Sequence, residues 1–162
     1  MPPIHRYIIL LCLFIILIIN CAEAATVALR SPSTKNSEFP VNLGGEFDVE
    51  IFVDPQGQGM TGVSIYLSFD DKWLELIDAS VALSGIQPVT NGDWVPPGWQ
   101  IFENDTHGDP GNRFIKFQID YACQVLDINA ATAEAGVVGT IRFKPLCPAI
   151  TQITFDIVRP AS

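Results

Sequence analysis

The side chains with the most obvious chemistry lie in one acidic, glycine-rich stretch, ENDTHGDPGN, at positions 103–112. Hard oxygen donors of the kind that calcium prefers occur there at Glu103, Asn104, Asp105, Asp109 and Asn112. These residues lack the alternating ligand register of an EF-hand loop, so a solvated hairpin loop is the better interpretation. The sequence therefore predicts no metal site and no cofactor.

Catalysis has little support in the residue pattern. His107 is the only histidine after the apolar N-terminal run, and no serine or cysteine nucleophile is recognisably paired with it. A carboxylate pair for glycoside hydrolysis stays open, because such residues meet only in the fold. The tripeptide Asn104-Asp105-Thr106 also matches an N-glycosylation sequon, which matters only in a eukaryotic secretory pathway. We expect a binding protein rather than an enzyme.

Trp94 and Trp99 flank the sequence VPPG in a long glycine- and proline-rich connection. Exposed tryptophans stack on sugar rings, which makes polysaccharide binding through these two residues an alternative function. A tryptophan in such a loop more often covers the end of the core, because its large apolar area is costly to leave in water. The sequence leaves both interpretations open.

The charge balance excludes one class of partner. The formal net charge is -9, and the lysines and arginines are scattered without forming a basic cluster. A nucleic-acid-binding protein needs a concentrated basic surface, so we expect no nucleic-acid partner.

The N-terminus has the pattern of a secretory signal peptide at residues 1–24. A basic start precedes the apolar run YIILLCLFIILII, and the small-residue sequence Ala22-Glu23-Ala24 follows. An uncleaved anchor and a lipoprotein with Cys21 as the acylated residue are the alternatives that would attach the protein to a membrane. We expect a secreted or cell-surface protein with one domain at residues 25–162. Export favours a disulfide between Cys123 and Cys147, with two unpaired thiols as the alternative.

Step by step along the domain, the periodic signals are those of strands. Apolar and polar residues alternate at 47–53, 63–69, 115–121, 141–144 and 153–157, and connections rich in Gly, Pro, Asn and Asp separate these segments. The segment NAATAEAG can form at most one helical turn. This pattern predicts an all-β protein with an antiparallel β-sandwich fold.

The order of these segments resembles the cohesin domain, the scaffoldin module that binds dockerin in cellulosomes. The resemblance rests on GGEFDVEIFVD, GMTGVSIYLSFDDKWLELID, GNRFIKFQID, EAGVVGTIRFK and TQITFDI, which cover about residues 26–157 in order. It implies a jelly-roll sandwich, a structural turn at Asp70-Asp71, and a dockerin-like partner that folds around calcium. It further implies one more strand after TQITFDI, so we expect either that the last strand is missing or that the sequence is a fragment.

The resemblance also places the partner-binding surface on one sheet. The predicted contact residues are Ser64, Tyr66, Ser68, Lys116, Gln118 and Asp120. The best-known cohesins carry an acidic or amide side chain on the outward side of the strand that contains Ser64, Tyr66 and Ser68, so this chain departs from the pattern there. The leading hypothesis is a docking module of an extracellular polysaccharide-degrading assembly. The alternatives are a carbohydrate-binding module and a structural surface module without a ligand.

Overall fold

The computed structural model describes residues 24–108 and 117–156, and all structural statements below concern these ranges. Their strands, in chain order, are β1 (Thr26–Arg30), β2 (Phe47–Asp54), β3 (Gly62–Phe69), β4 (Leu74–Ile77), β5 (Val89–Asn91), β6 (Gln100–His107), β7 (Phe117–Gln124), β8 (Gly136–Pro145) and β9 (Thr154–Phe155). A single turn of 3-10 helix spans Ile128–Ala130. Within the described ranges no helix is long and apolar enough to cross a membrane.

The strands form two antiparallel sheets, which confirms the predicted β-sandwich. The five-stranded sheet has the order β1-β2-β8-β4, with β5 also paired to β8. The four-stranded sheet has the order β6-β7-β3-β9. The predicted signal peptide and the predicted missing last strand fall outside the described residues.

Alternation of side chains decides which surface of each sheet faces the core. In β2, Val49, Ile51 and Val53 are fully buried, while the residues between them are half-buried. In β3, Ile65 and Leu67 face the same core from the opposite sheet. Burying one such side chain stabilises the fold by roughly 1.5–3 kcal/mol, so the two inner faces supply most of the driving force.

The longest pairing in the four-stranded sheet joins β3 to β7. It runs without a bulge over eight residue pairs, from Gly62 opposite Gln124 to Phe69 opposite Phe117. The inward residues of β7 include Ile119 and Tyr121, both fully buried. Because side chains alternate, the same register fixes which polar residues point away from the core.

The acidic corner after β3 is structural, as the resemblance implied. The Asp70 carboxylate accepts a hydrogen bond from the Lys72 backbone N–H at 3.0 Å, and the Asp70 carbonyl accepts one from the Leu74 N–H at 3.2 Å. Leu74 then re-enters the core with 5% of its surface exposed. The turn therefore sends the chain from one sheet to the other.

Two polar side chains tie the sheets together across the core. The Tyr121 hydroxyl donates to Asn91 Oδ1 at 2.9 Å, and burial raises the pKa of this phenol well above its ordinary value. Asn104 donates from Nδ2 to the Val89 carbonyl at 2.8 Å and accepts from the Val89 N–H at 3.0 Å. These bonds give the backbone N–H and carbonyl of Val89 in β5 their hydrogen-bond partners, and they join β5 to β6 of the other sheet.

Residues 103–107 are therefore strand and not loop, so the hairpin-loop prediction was wrong for this half of the acidic stretch. The physical reason is that the inward position at 104 carries an amide that bonds to backbone, not an apolar side chain that packs. An apolar period of two is absent from the sequence at this point, although the strand is present.

The predicted disulfide is not formed, since Cys123 and Cys147 are both unpaired. Cys123 lies opposite Val63, near the start of β3. The Cys147 thiol lies 3.7 Å from the Lys72 carbonyl, beyond the end of β3. The length of β3 between these points is about 20 Å, far more than a disulfide can span. Burial raises the pKa of the Cys123 thiol, which keeps it protonated.

We predict that Asn104→Ala lowers the free energy of unfolding by about 2 kcal/mol, because the substitution leaves the two backbone groups of Val89 without their partner. Urea denaturation of both proteins measures this difference. The control is Asn36→Ala in the exposed β1–β2 connection, which we expect to change stability by less than about 0.5 kcal/mol. Equal effects of the two substitutions would contradict the structural role of Asn104.

Candidate partner-binding face

The surface of the four-stranded sheet that points away from the core is called the outer face here. Strand register arranges its side chains in three rows across the strands. The first row is Glu103, Ala122 and Ser64; the middle row is Asp105, Asp120, Tyr66 and Asp156; the last row is His107, Gln118, Ser68 and Thr154. Asp156 belongs to the middle row because its N–H donates to the Tyr66 carbonyl at 2.8 Å.

A hydrogen-bonded network fixes the last row and attaches β9 to the sheet. The hydroxyls of Ser68 and Thr154 are 2.9 Å apart. The Asp156 carboxylate accepts hydrogen bonds from Ser68 Oγ and from Gln118 Nε2, both at 3.2 Å. Ser68 is 1% exposed and Gln118 is 8% exposed. Both residues belong to the predicted partner-binding set but are buried. Their hydrogen bonds fix the geometry of the outer face instead of contacting a partner.

Asp120, at the centre of the outer face, is fully buried. Its Oδ2 lies 3.3 Å from Nε2 of His107, an imidazole that keeps 38% of its side chain exposed. Lys116, the sixth residue predicted for partner binding, lies outside the described residues. Of the predicted set, Ser64 is exposed and Tyr66 is half-buried, so these two are the described residues that a partner can reach directly.

Trp94 and Trp99 are buried, with 4% and 9% of their surfaces exposed. Their rings pack edge to face with centroids 5.2 Å apart. The indole N–H of Trp94 donates to the Glu134 carbonyl at 2.9 Å, and that of Trp99 donates to the Ala130 carbonyl at 3.3 Å. Neither ring presents a face to solvent, because both belong to the buried core cluster. The structure therefore gives no support to sugar stacking through these residues.

The oxygen-bearing side chains of residues 103–112, which resemble calcium ligands in the sequence, do not surround a common point in the described residues. Asn104 uses its amide to bind the Val89 backbone. Asp105 accepts a hydrogen bond from the Thr106 N–H at 2.7 Å. Asp109 and Asn112 lie outside the described residues. In the described part of the chain no group of three or more His, Cys, Asp or Glu side chains is placed to hold a metal ion.

A second surface feature is an open groove between β1 and β9, the edge strands of the two sheets. Its volume is about 1030 Å³, and its lining includes Leu29, Phe39, Trp73, Ile150 and Phe155. Ile150 and Phe155 are both exposed there. No pattern in the sequence predicted this groove.

The two-sheet architecture is similar to that of known structures, although the sequence itself matches nothing. No protein-family model and no curated protein matches the sequence. A type II cohesin domain from the cellulosome of Acetivibrio cellulolyticus matches in structure, with a TM-score of 0.61 over 86% of this chain and 78% of that chain, at 14% sequence identity. The chain has the cohesin fold.

Two further cohesin-fold neighbours were solved with dockerins. The type II cohesin–X-dockerin complex of Acetivibrio cellulolyticus matches with a TM-score of 0.59 at 11% identity, covering 83% of this chain and 78% of that chain. The type I complex Coh-OlpA–Doc918 of Clostridium thermocellum matches with a TM-score of 0.55 at 14% identity, covering 83% of this chain and 82% of that chain. The cohesin fold thus recurs here at very low sequence identity.

We predict that Trp94→Ala lowers the free energy of unfolding by about 3–5 kcal/mol, because it leaves a cavity under the loop and orphans the Glu134 carbonyl. Thermal or urea unfolding measures the loss. Trp73→Ala is the matched control: this ring is 37% exposed, so its removal costs less. A Trp94→Ala protein with wild-type stability that no longer binds insoluble polysaccharide would contradict the structural role and restore the sugar-binding one.

Proposed function

We propose that this chain is a secreted, non-catalytic binding module whose outer face docks a dockerin-type partner. The observation that supports it most is the cohesin fold, shared with domains that were solved in complexes with dockerins. At 11–14% identity this similarity concerns architecture, so the contacts must be argued from this chain's own residues.

The outer face has the physical properties of a docking surface. Ser64 is small and exposed, which lets a partner backbone approach the sheet closely. Tyr66 supplies an aromatic ring two residues further along the same strand, and tyrosine is one of the residue types that concentrate interface energy. The buried network of Ser68, Gln118 and Asp156 holds the face rigid, so little conformational entropy is lost on binding.

Export and domain organisation are part of the same proposal. The basic start, apolar run and small-residue site of residues 1–24 support removal of a signal peptide, which leaves a domain at 25–162. Acylation at Cys21 would instead tether the domain to a membrane. Either route delivers the outer face to the cell exterior, where an extracellular polysaccharide-degrading assembly would form.

We predict that the domain binds a dockerin in the presence of calcium and that Ser64→Arg weakens this binding at least tenfold, about 1.4 kcal/mol, because a long charged side chain blocks the sheet surface. The probes are the X-dockerin and Doc918 modules of the two complexes, and dockerins from the organism that encodes this chain. Isothermal titration calorimetry gives the affinities.

The control for this experiment is Ser33→Arg, an equal substitution at an exposed position in the β1–β2 connection, which we expect to leave the affinity unchanged. If the wild-type domain binds none of these dockerins, or if the two arginine variants bind equally well, the docking function is wrong. A folded domain without any partner would then favour a structural surface module.

A further inference from the structure

The edges of the two sheets differ in how they are protected against pairing with another chain. A strand at the edge of a sheet leaves one row of backbone N–H and carbonyl groups without a strand partner. Folded proteins blunt such edges with short strands, charged side chains or bulges. In the described residues the edge strands are β1, β4 and β5 of the five-stranded sheet, and β6 and β9 of the four-stranded sheet.

Four of these edge strands carry such a protection. β6 is long, but a bulge after Ile101 interrupts its register, and Glu103 and Asp105 place carboxylates along it. β4 has four residues and includes Glu75, and β9 has only two residues. β5 has three residues, and the Asn104 amide of β6 already bonds to its backbone. These edges are poor templates for a further strand.

β1 carries none of these protections. Its five residues, TVALR, pair with β2 in a regular register from Thr26 opposite Asp54 to Arg30 opposite Glu50, without a bulge or a proline. Its single charge is already used within the chain. Arg30 Nε lies 2.8 Å from Glu50 Oε2, and the guanidinium carbon lies 3.6 Å from the centre of the Phe52 ring. Within residues 24–108 and 117–156, β1 pairs with β2 alone, so its other edge is open.

The inner side of β1 is apolar and incompletely covered. Val27 lies opposite Val53, a fully buried residue. Leu29 lies opposite Ile51, which is also fully buried. Val27 nevertheless keeps 39% of its surface exposed, and Leu29 lines the groove between β1 and β9, where Phe155 is exposed as well. Exposed apolar side chains beside an open sheet edge are typical of an interaction surface.

The sequence of β1 is complementary to itself in antiparallel register. When Ala28 lies on a twofold axis, Val27 of one copy stands opposite Leu29 of the other. Thr26 then stands opposite Arg30, so no like charges face each other. The inner apolar side chains form rows that continue from one copy into the next. Ala28 is small and exposed, which lets the two strands meet at the axis.

We infer that two copies of this chain associate through β1, which pairs antiparallel with its counterpart and joins the two five-stranded sheets into one. Such a dimer is isologous, because both copies use the same surface, and it leaves no open edge at β1. It also removes the exposed surface of Val27 from water. The outer face belongs to the other sheet, so both docking faces stay accessible. The association does not depend on the proposed docking function.

The test is sedimentation velocity of the domain at residues 25–162, at protein concentrations from about 2 to about 200 µM. We expect the wild type to change from monomer to dimer over this range. Ala28→Lys places two like charges directly opposite each other at the axis, so we expect it to stay monomeric. Ala28→Glu should stay monomeric for the same reason. An equimolar mixture of the two variants should dimerise again, because opposite charges then meet at the axis.

The control is Gln100→Lys, which introduces the same charge at an exposed position of β6, the other long edge strand, and should dimerise like wild type. Circular dichroism checks that each variant is folded. A wild-type domain that stays monomeric at about 200 µM would overturn the inference. Protection of the β1 amides from hydrogen exchange in that monomer would assign the edge to a segment of the same chain, such as residues 157–162. Dimerisation of Ala28→Lys alone, or a mixture of variants that stays monomeric, would also overturn it.

Discussion

The pairing of β3 with β7 is the constraint on which the rest of this structure depends. Eight residue pairs without a bulge place one set of side chains in the core and the other set on the outer face. Because side chains alternate strictly along a strand, a shift by one residue would move Ile65 and Leu67 into water and Ser64 and Tyr66 into the core. Core packing therefore fixes the geometry of the proposed binding surface.

The outer face combines this fixed geometry with polar side chains that bond to one another. Its last row is a closed hydrogen-bond network around Ser68, Gln118 and Asp156, which gives the sheet a rigid polar surface. In its middle row Asp105 lies opposite Asp120, whose carboxylate is fully buried beside the His107 imidazole. On the five-stranded sheet, by contrast, cations pair with carboxylates, as Arg30 does with Glu50 and Arg142 with Asp48.

The sequence predicted those parts of the fold that apolar alternation encodes. It located β2, β3 and the acidic corner after β3, because each strand buries one apolar side. It missed β6, where Asn104 bonds to backbone across the core and leaves no apolar period. It left open the burial of Trp94 and Trp99, and it wrongly paired Cys123 with Cys147, because both depend on distances that only the folded chain defines. The burial of Ser68, Gln118 and Asp120 could not be predicted from the sequence for the same reason.

The most direct test of the account is to map dockerin binding by amide chemical-shift changes in the 15N-labelled domain. The account predicts that the largest changes fall on the outer face, at Ser64, Tyr66 and Asp105, with small changes on the five-stranded sheet. Changes concentrated instead at Leu29 and Ile150, in the groove between β1 and β9, would contradict the outer face as the docking surface.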